Sequence, residues 1–317
     1  MINTTDNNRI PLVVIAGPTA SGKTALAVEM CRRFNGEVVS ADSMQVYDTL
    51  RIGTARPTEE EQGGIVHHLM GFLPPDASYS VVKYAQQAHR AILGIHSRGK
   101  LPILCGGTGL YIQAVTENLS YEQQPKEREV RDRLKARIQR EGGAALLTEL
   151  SRVDPETAAR LHPNDHGRII RALEIVETTG RTITEQNKDS RKAVSPYILC
   201  GLRLEFQDRE RLYERINRRV TAMLENGLLE EAQWLRSQPN TDTVRQAIGY
   251  KELEPYFLGA VTLDEAADAL RQGTRRYAKR QLSWFRHQDW MTSVYMDEVD
   301  PTERATACIA DFLRKEK

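Results

Sequence analysis

The sequence has 317 residues, room for more than one domain, and its 40% apolar and 27% charged residues are the composition of a globular chain, not a disordered one. Forty-four Lys/Arg against 43 Asp/Glu leave a formal net charge of +1, so bulk charge gives no argument for a polyanionic partner. No apolar run approaches the roughly eighteen residues that cross a bilayer, and the polar opening lacks the order of a secretory signal. Four scattered cysteines (Cys31, Cys105, Cys200 and Cys308) have neither disulfide-scaffold nor metal spacing, so the expectation is a cytoplasmic protein without membrane association.

In chain order, residues 11–16 form a short β-branched run ending in a glycine turn, which predicts a buried strand. A helix is expected over 24–34, a strand over 37–41, a helix over 81–98 and a strand over 101–105. Strands alternating with helices imply a mostly parallel sheet with crossover helices. The middle differs. Val130, Leu134 and Ile138 recur at four-residue steps on a helix over 127–140 otherwise covered with charge. Asp154-Pro155 is a helix start, and Asp165 is placed to cap another helix that stops near Gly180. Strand character returns over 197–204, followed by a helix over 209–225 with Leu212, Ile216, Val220 and Leu224 as its stripe. Thr262 and Glu265 fit a capping box opening a long helix towards Trp284, and 292–296 is a last candidate strand. From Arg271 to Arg286 there are six basic residues and no acid. A basic face for a polyanion and a solvated helix face both fit that stretch, with Trp284 and Phe285 expected in the core.

Gly17-Pro18-Thr19-Ala20-Ser21-Gly22-Lys23-Thr24 matches G-x-x-x-x-G-K-[ST] and stands between a predicted strand and a predicted helix, where its mechanism requires it. Successive backbone N–H groups can point into one concavity, the helix adds its positive end, Lys23 neutralises phosphate oxygens, and the Thr24 hydroxyl suits Mg²⁺. The loop reads phosphate and not what the phosphate carries, so it does not distinguish a nucleotide from a diphosphate ester. Asp42-Ser43-Met44-Gln45 follows the second strand, at the sheet edge that lines ligand crevices. There a carboxylate can serve as general base or hold a metal, although Asp42 alone could equally cap a turn. Gly106-Gly107-Thr108 ends another predicted strand on the same edge.

Together with Ile52-Gly53-Thr54-Ala55, His162-Pro163-Asn164-Asp165, Arg171-Ala172-Leu173-Glu174, Gln246-Ala247-Ile248-Gly249-Tyr250-Lys251 and Lys279-Arg280-Gln281, these segments resemble the bacterial-type tRNA dimethylallyltransferases, in order along nearly the whole chain. The resemblance implies an α/β fold, a P-loop NTPase-like parallel core (1–119 and 184–317) with an inserted all-helical domain (120–183) that binds the tRNA anticodon stem-loop. It implies transfer of a dimethylallyl group from dimethylallyl diphosphate to N6 of adenine 37, with Mg²⁺ as cofactor. Asp42, Thr108 and Arg219 take the catalytic positions, and residues 17–24 with Arg215 the diphosphate contacts. Asp42, Ser43, Met44, Gln45, Thr108, Arg131, Gly167, Arg168, Ile169, Ile170, Arg171 and Gln246 to Lys251 take the tRNA contacts. An exposed helix face is the other reading of Arg215 and Arg219. Arg56 stands where the family more often has Lys, and no Cys/His zinc finger of the eukaryotic relatives is present. A monomer is the default expectation. An ATP-dependent small-molecule or nucleoside kinase is the competing reading of the phosphate loop, and a nucleotide-driven RNA-binding switch a third.

Overall fold

A computed structural model describes residues 9–119, 128–190 and 194–315. Glu127, the first residue of one expected helix, lies outside them, as does much of the polar opening. The chain divides into two compact units, one formed by Met1–Thr116 with Ser195–Lys317 and the other by Glu117–Val194.

The first unit is built on six parallel strands: β1 (Ile10–Ala16), β2 (Gly36–Ser40), β3 (His67–His68), β4 (Leu101–Gly106), β5 (Tyr197–Glu205) and β6 (Met291–Tyr295). They run in the order β3-β2-β4-β1-β5-β6. The central strand β1 sets Val13 against Ile103 on one side and Cys200 on the other. Its side chains alternate between two cores. Leu12 and Val14 pack with Tyr84, Ala88, Ile92 and Phe285, whereas Val13 and Ile15 pack with Leu26, Met30 and Ile309. Helices cover both faces, which is why β1 reads as an unbroken apolar run. The chain leaves β1, β2 and β4 at the same edge of the sheet, and those exits carry the phosphate loop, Asp42 and Thr108. No described helix is long and apolar enough to cross a membrane.

The second unit packs Arg128–Glu141, Gly143–Val153, Pro155–Ala158, His166–Thr179 and Ile183–Ser190 around Leu134, Leu146, Leu150, Ile169 and Leu173. Its extent corrects the expected boundary at residue 183. Asp154 caps Pro155–Ala158 through Thr157 N–H (3.0 Å) and also accepts from the Thr184 hydroxyl (2.6 Å) and amide (3.1 Å). Ile183–Ser190 is thereby fastened to the helical unit. Asp165 differs from its expected role too. Its carboxylate makes no helix cap and instead accepts from His162 N–H at 3.0 Å, closing the turn before the helix.

Candidate active site

The phosphate loop begins at Gly17, where a Cβ would meet the Leu204 Cβ of β5 at 2.9 Å, so this close approach excludes a larger residue. Ala20 (φ 61°) and Gly22 (φ 90°) hold the left-handed backbone that turns the loop into the helix Lys23–Phe34. The first turn of that helix carries no acid, which leaves its positive end for an anion. Lys23 Nζ reaches back across the loop to the Pro18 carbonyl at 2.6 Å. Burial of its ammonium pushes its pKa down to about 8; Cys105 and Asp42 offset part of this, and Arg219 adds to it.

Opposite stands Asp42. Its Oδ1 accepts from Met44 N–H (2.9 Å) and Gln45 N–H (3.4 Å), and no described donor occupies Oδ2. The exits of β2 and β4 are laced together: Thr108 N–H donates to the Ala41 carbonyl (3.0 Å), and Ser43 N–H donates to Thr108 Oγ1 (3.0 Å). Tyr277 lies close enough that the Asp42 charge adds to burial in raising its phenol pKa. Gln45 is less free than its sequence position suggests. Its amide N–H groups bond the Thr54 and Ala55 carbonyls (3.3 and 3.1 Å), leaving its carbonyl oxygen for any further partner.

Two arginines on the helix Arg209–Glu225 complete the phosphate side. Arg219 Nη1 donates to the Thr19 hydroxyl (3.2 Å) and Nη2 to the Ala55 carbonyl (3.1 Å), while Arg215 Nε donates to the Ala20 carbonyl (2.7 Å). Burial holds Arg219 below its ordinary pKa, and Asp42 works against that shift. Arg219 is partly buried and Arg215 is exposed, and both are tethered to the phosphate loop. Thr19 to Lys23, Asp42, Gln45, Arg215, Arg219 and Tyr277 line one cleft of about 900 Å³, together with Thr24, Ser43, Met44, Gln246, Ala247, Ile248, Gly249 and Lys251. Among the described residues no three His, Cys, Asp or Glu side chains cluster to hold a metal by themselves. The Thr24 hydroxyl and the Asp42 carboxylate are hard oxygen donors, a set that fits Mg²⁺ only if substrate phosphates complete its shell.

Two residues that no motif reading assigned organise this cleft. Glu231 accepts from Arg51 N–H (2.6 Å), Ile52 N–H (2.9 Å), Gly53 N–H (2.7 Å) and the Tyr250 hydroxyl (2.8 Å), so it holds the loop that Arg219 and Gln45 lean on. Gln281, on the long helix Leu263–Arg286, bonds the phosphate loop and the Gly107 turn with one amide. Its motif was visible in the sequence; Glu231 carried no signal.

The residues expected at the tRNA differ in exposure. Tyr250 is buried with its hydroxyl on Glu231, and the side chains of Ile169 and Ile170 are buried in the helical core. Gly167 and Arg168 are exposed, Arg131 is half-buried, and Arg171 Nη1 pairs with the fully buried Glu174 at 3.0 Å. On the basic helix, Phe285 is core as expected, but Trp284 is 39% exposed with its indole against Gly109.

The chain matches known protein families over most of its length. The family described as IPP transferase matches residues 45–288, and the Isopentenyl transferase family matches residues 10–69. A tRNA dimethylallyltransferase of Shouchella clausii is 45% identical over 96% of both chains, and one of Bacillus subtilis is 43% identical over 94% of both. The crystal structure of a tRNA isopentenylpyrophosphate transferase from Bacillus halodurans superposes with a TM-score of 0.71 at 44% identity, covering 96% of either chain. A eukaryotic dimethylallyltransferase acting on tRNA gives a TM-score of 0.81 at 30% identity, covering 96% of this chain and 80% of that one. With an α/β parallel core, a P-loop and matches along nearly its whole length, the chain belongs to the IPP transferase family.

Proposed function

We propose that this protein transfers the dimethylallyl group of dimethylallyl diphosphate to N6 of adenine 37 in tRNA and releases diphosphate. The observation that carries the reading is one cleft lined by both a phosphate cradle and a carboxylate whose Oδ2 meets no donor among the described residues. The adenine amine is a weak nucleophile because its lone pair is delocalised into the ring. In the reaction N6 bonds to the allylic carbon as the carbon–oxygen bond to diphosphate breaks, and the N6 proton passes to Asp42 Oδ2. Thr108, between Ser43 and Tyr277, helps hold the base. Negative charge growing on the leaving diphosphate meets the loop amides, Lys23, Arg219 and Arg215, groups already fixed in place before it develops. Thr24 would hold Mg²⁺ against the donor phosphates, and the bound ion supplies further positive charge to the leaving group.

On the RNA side, the exposed Arg168 and the partly exposed Arg131 of the helical unit suit backbone phosphates of the anticodon stem-loop, and Lys251 at the cleft suits another. The same reading includes a cytoplasmic monomer. The test incubates purified protein with unmodified tRNA, Mg²⁺ and labelled dimethylallyl diphosphate in the absence of ATP. Label in tRNA is the expected result. Phosphoryl transfer from ATP to a small acceptor, with no label in tRNA, would replace this reading with a kinase.

A further inference from the structure

Gln281 is only 5% exposed, and its amide has both ends engaged. Oε1 accepts from Thr19 N–H at 2.9 Å, and Nε2 donates to the Gly107 carbonyl at 2.9 Å. Thr19 belongs to the phosphate loop, and Gly107 adjoins Thr108, whose hydroxyl is bonded by Ser43 N–H beside Asp42. Thr19 is also gripped through its own hydroxyl by Arg219. One amide therefore spans the donor-side loop and the acceptor-side turn. Glycine at 107 leaves room for it, since a Cβ there would stand 2.2 Å from Gln281 Nε2.

We infer that Gln281 is a positioning residue that fixes the spacing between the phosphate loop and the Thr108 turn, and through them the approach of donor carbon to acceptor nitrogen. The inference rests on the proposed prenyl transfer. Only a neutral side chain with one acceptor and one donor satisfies both loops. Glutamate would keep the Thr19 bond, lose the Gly107 bond, and place a negative charge beside a cradle built for anions. Methionine would match the length and bond neither loop. Each loop keeps its own ligand groups without Gln281, so binding of either substrate should survive while their mutual alignment does not. Misalignment on the scale of an ångström costs up to about 10²-fold in rate.

The experiment measures single-turnover rates at saturating tRNA and dimethylallyl diphosphate, with separate affinities for pyrophosphate and tRNA. The proteins are the unsubstituted enzyme, Gln281→Met, Gln281→Glu, Gly107→Ala and the double variant Gly107→Ala/Gln281→Met. Gln281→Met should lose roughly 10- to 100-fold in rate with both affinities within about threefold. Gln281→Glu should weaken pyrophosphate binding in addition. Gly107→Ala should mimic Gln281→Met, and the double variant should be no slower than the worse single one, because both act through one contact. If Gln281→Met does not fold, Gln281→Glu and Gly107→Ala carry the test. A full-rate Gln281→Met, a rate loss matched by equal affinity losses, or multiplying losses in the double variant would each overturn the inference. An unsubstituted enzyme that labels no tRNA would instead refute the functional reading. Exchange of the Thr19 amide hydrogen then decides the tether: acceleration in Gln281→Met supports it, and an unchanged rate overturns it.

Discussion

The α/β unit and the helical unit handle polar side chains in opposite ways. At the cleft, the bonds span the sequence: Arg219 reaches Thr19 across 200 positions, Arg215 reaches Ala20 across 195, and Glu231 reaches Gly53 across 178. In the helical unit, many of the charged pairs join neighbours one turn apart, such as Arg137 with Glu141, Arg160 with Glu156 and Lys135 with Asp132. Long-range tethers freeze side chains where charge must be met without reorganisation. Local pairs on helix surfaces are weak and readily exchange one partner for a phosphate. The two patterns suit reaction chemistry and RNA backbone binding respectively.

The sharpest way to break this contrast is Asp42→Asn. The substitution keeps the shape of the turn but cannot take a proton, so single-turnover rate should fall by roughly 10²-fold or more while pyrophosphate and tRNA still bind. A rate restored by high Mg²⁺, with donor affinity lost beforehand, would recast Asp42 as a metal holder.

Lys23 gives the next effect. Its pKa near 8, against 10.5 in an exposed lysine, means that below pH 8 folded and unfolded chains both carry the proton and the burial cost is complete. Between those values the unfolded chain binds more protons, so the contribution of Lys23 to stability rises with pH. Pyrophosphate affinity should run the other way, with the ammonium accounting for up to about a tenfold fall per pH unit above 8. Comparing pyrophosphate titrations of the unsubstituted protein and Lys23→Met isolates that share, and parallel curves would remove the ammonium from the cradle.

In the helical unit effects should be smaller and salt-sensitive. Arg168→Ala should weaken tRNA binding several-fold regardless of loop sequence and lower the salt slope by about 1, read from affinities over a range of salt concentrations. Smallest of all, Ile169→Val should cost about 1 kcal/mol of stability by denaturant melt and leave tRNA affinity unchanged. A change in affinity there would return Ile169 to the RNA surface and blur the division between the units.

Much of this was legible in the sequence because it is local. The β-branched run before Gly17, the phosphate loop and the Thr262–Glu265 capping box are each defined by neighbours, and all occur as read. The strand β3 has two residues, too few to show a period, and the helix Gly143–Val153 opens at the glycine pair Gly142-Gly143, which argues against one. Buried Ile169 and Ile170 follow exposed Gly167 and Arg168, so a contiguous segment assigned to RNA mixes two helix faces. Glu231 was out of reach for another reason. Three of its four donors lie 178 to 180 positions away, and nothing beside it on its helix marks it as different from Glu230.

The neck of the helical unit bears on how the sheet comes together on the way out of the ribosome. β1 acquires its second neighbour only when Tyr197 pairs with Ile10, after the whole helical excursion has been synthesised. At the base of that excursion Asn118 Nδ2 donates to the Val194 carbonyl at 3.0 Å across 76 positions. A helical unit that folds by itself and clasps at this point turns a long flexible loop into a short one, lowering the closure entropy by roughly 2 kcal/mol. The helices would then act as an internal chaperone for the sheet, folding early so that its last strands arrive already near their partners. Leu134→Ala, which hollows the helical core, should therefore slow refolding of the distant sheet; an unaltered refolding rate would show that the neck closes without its helices.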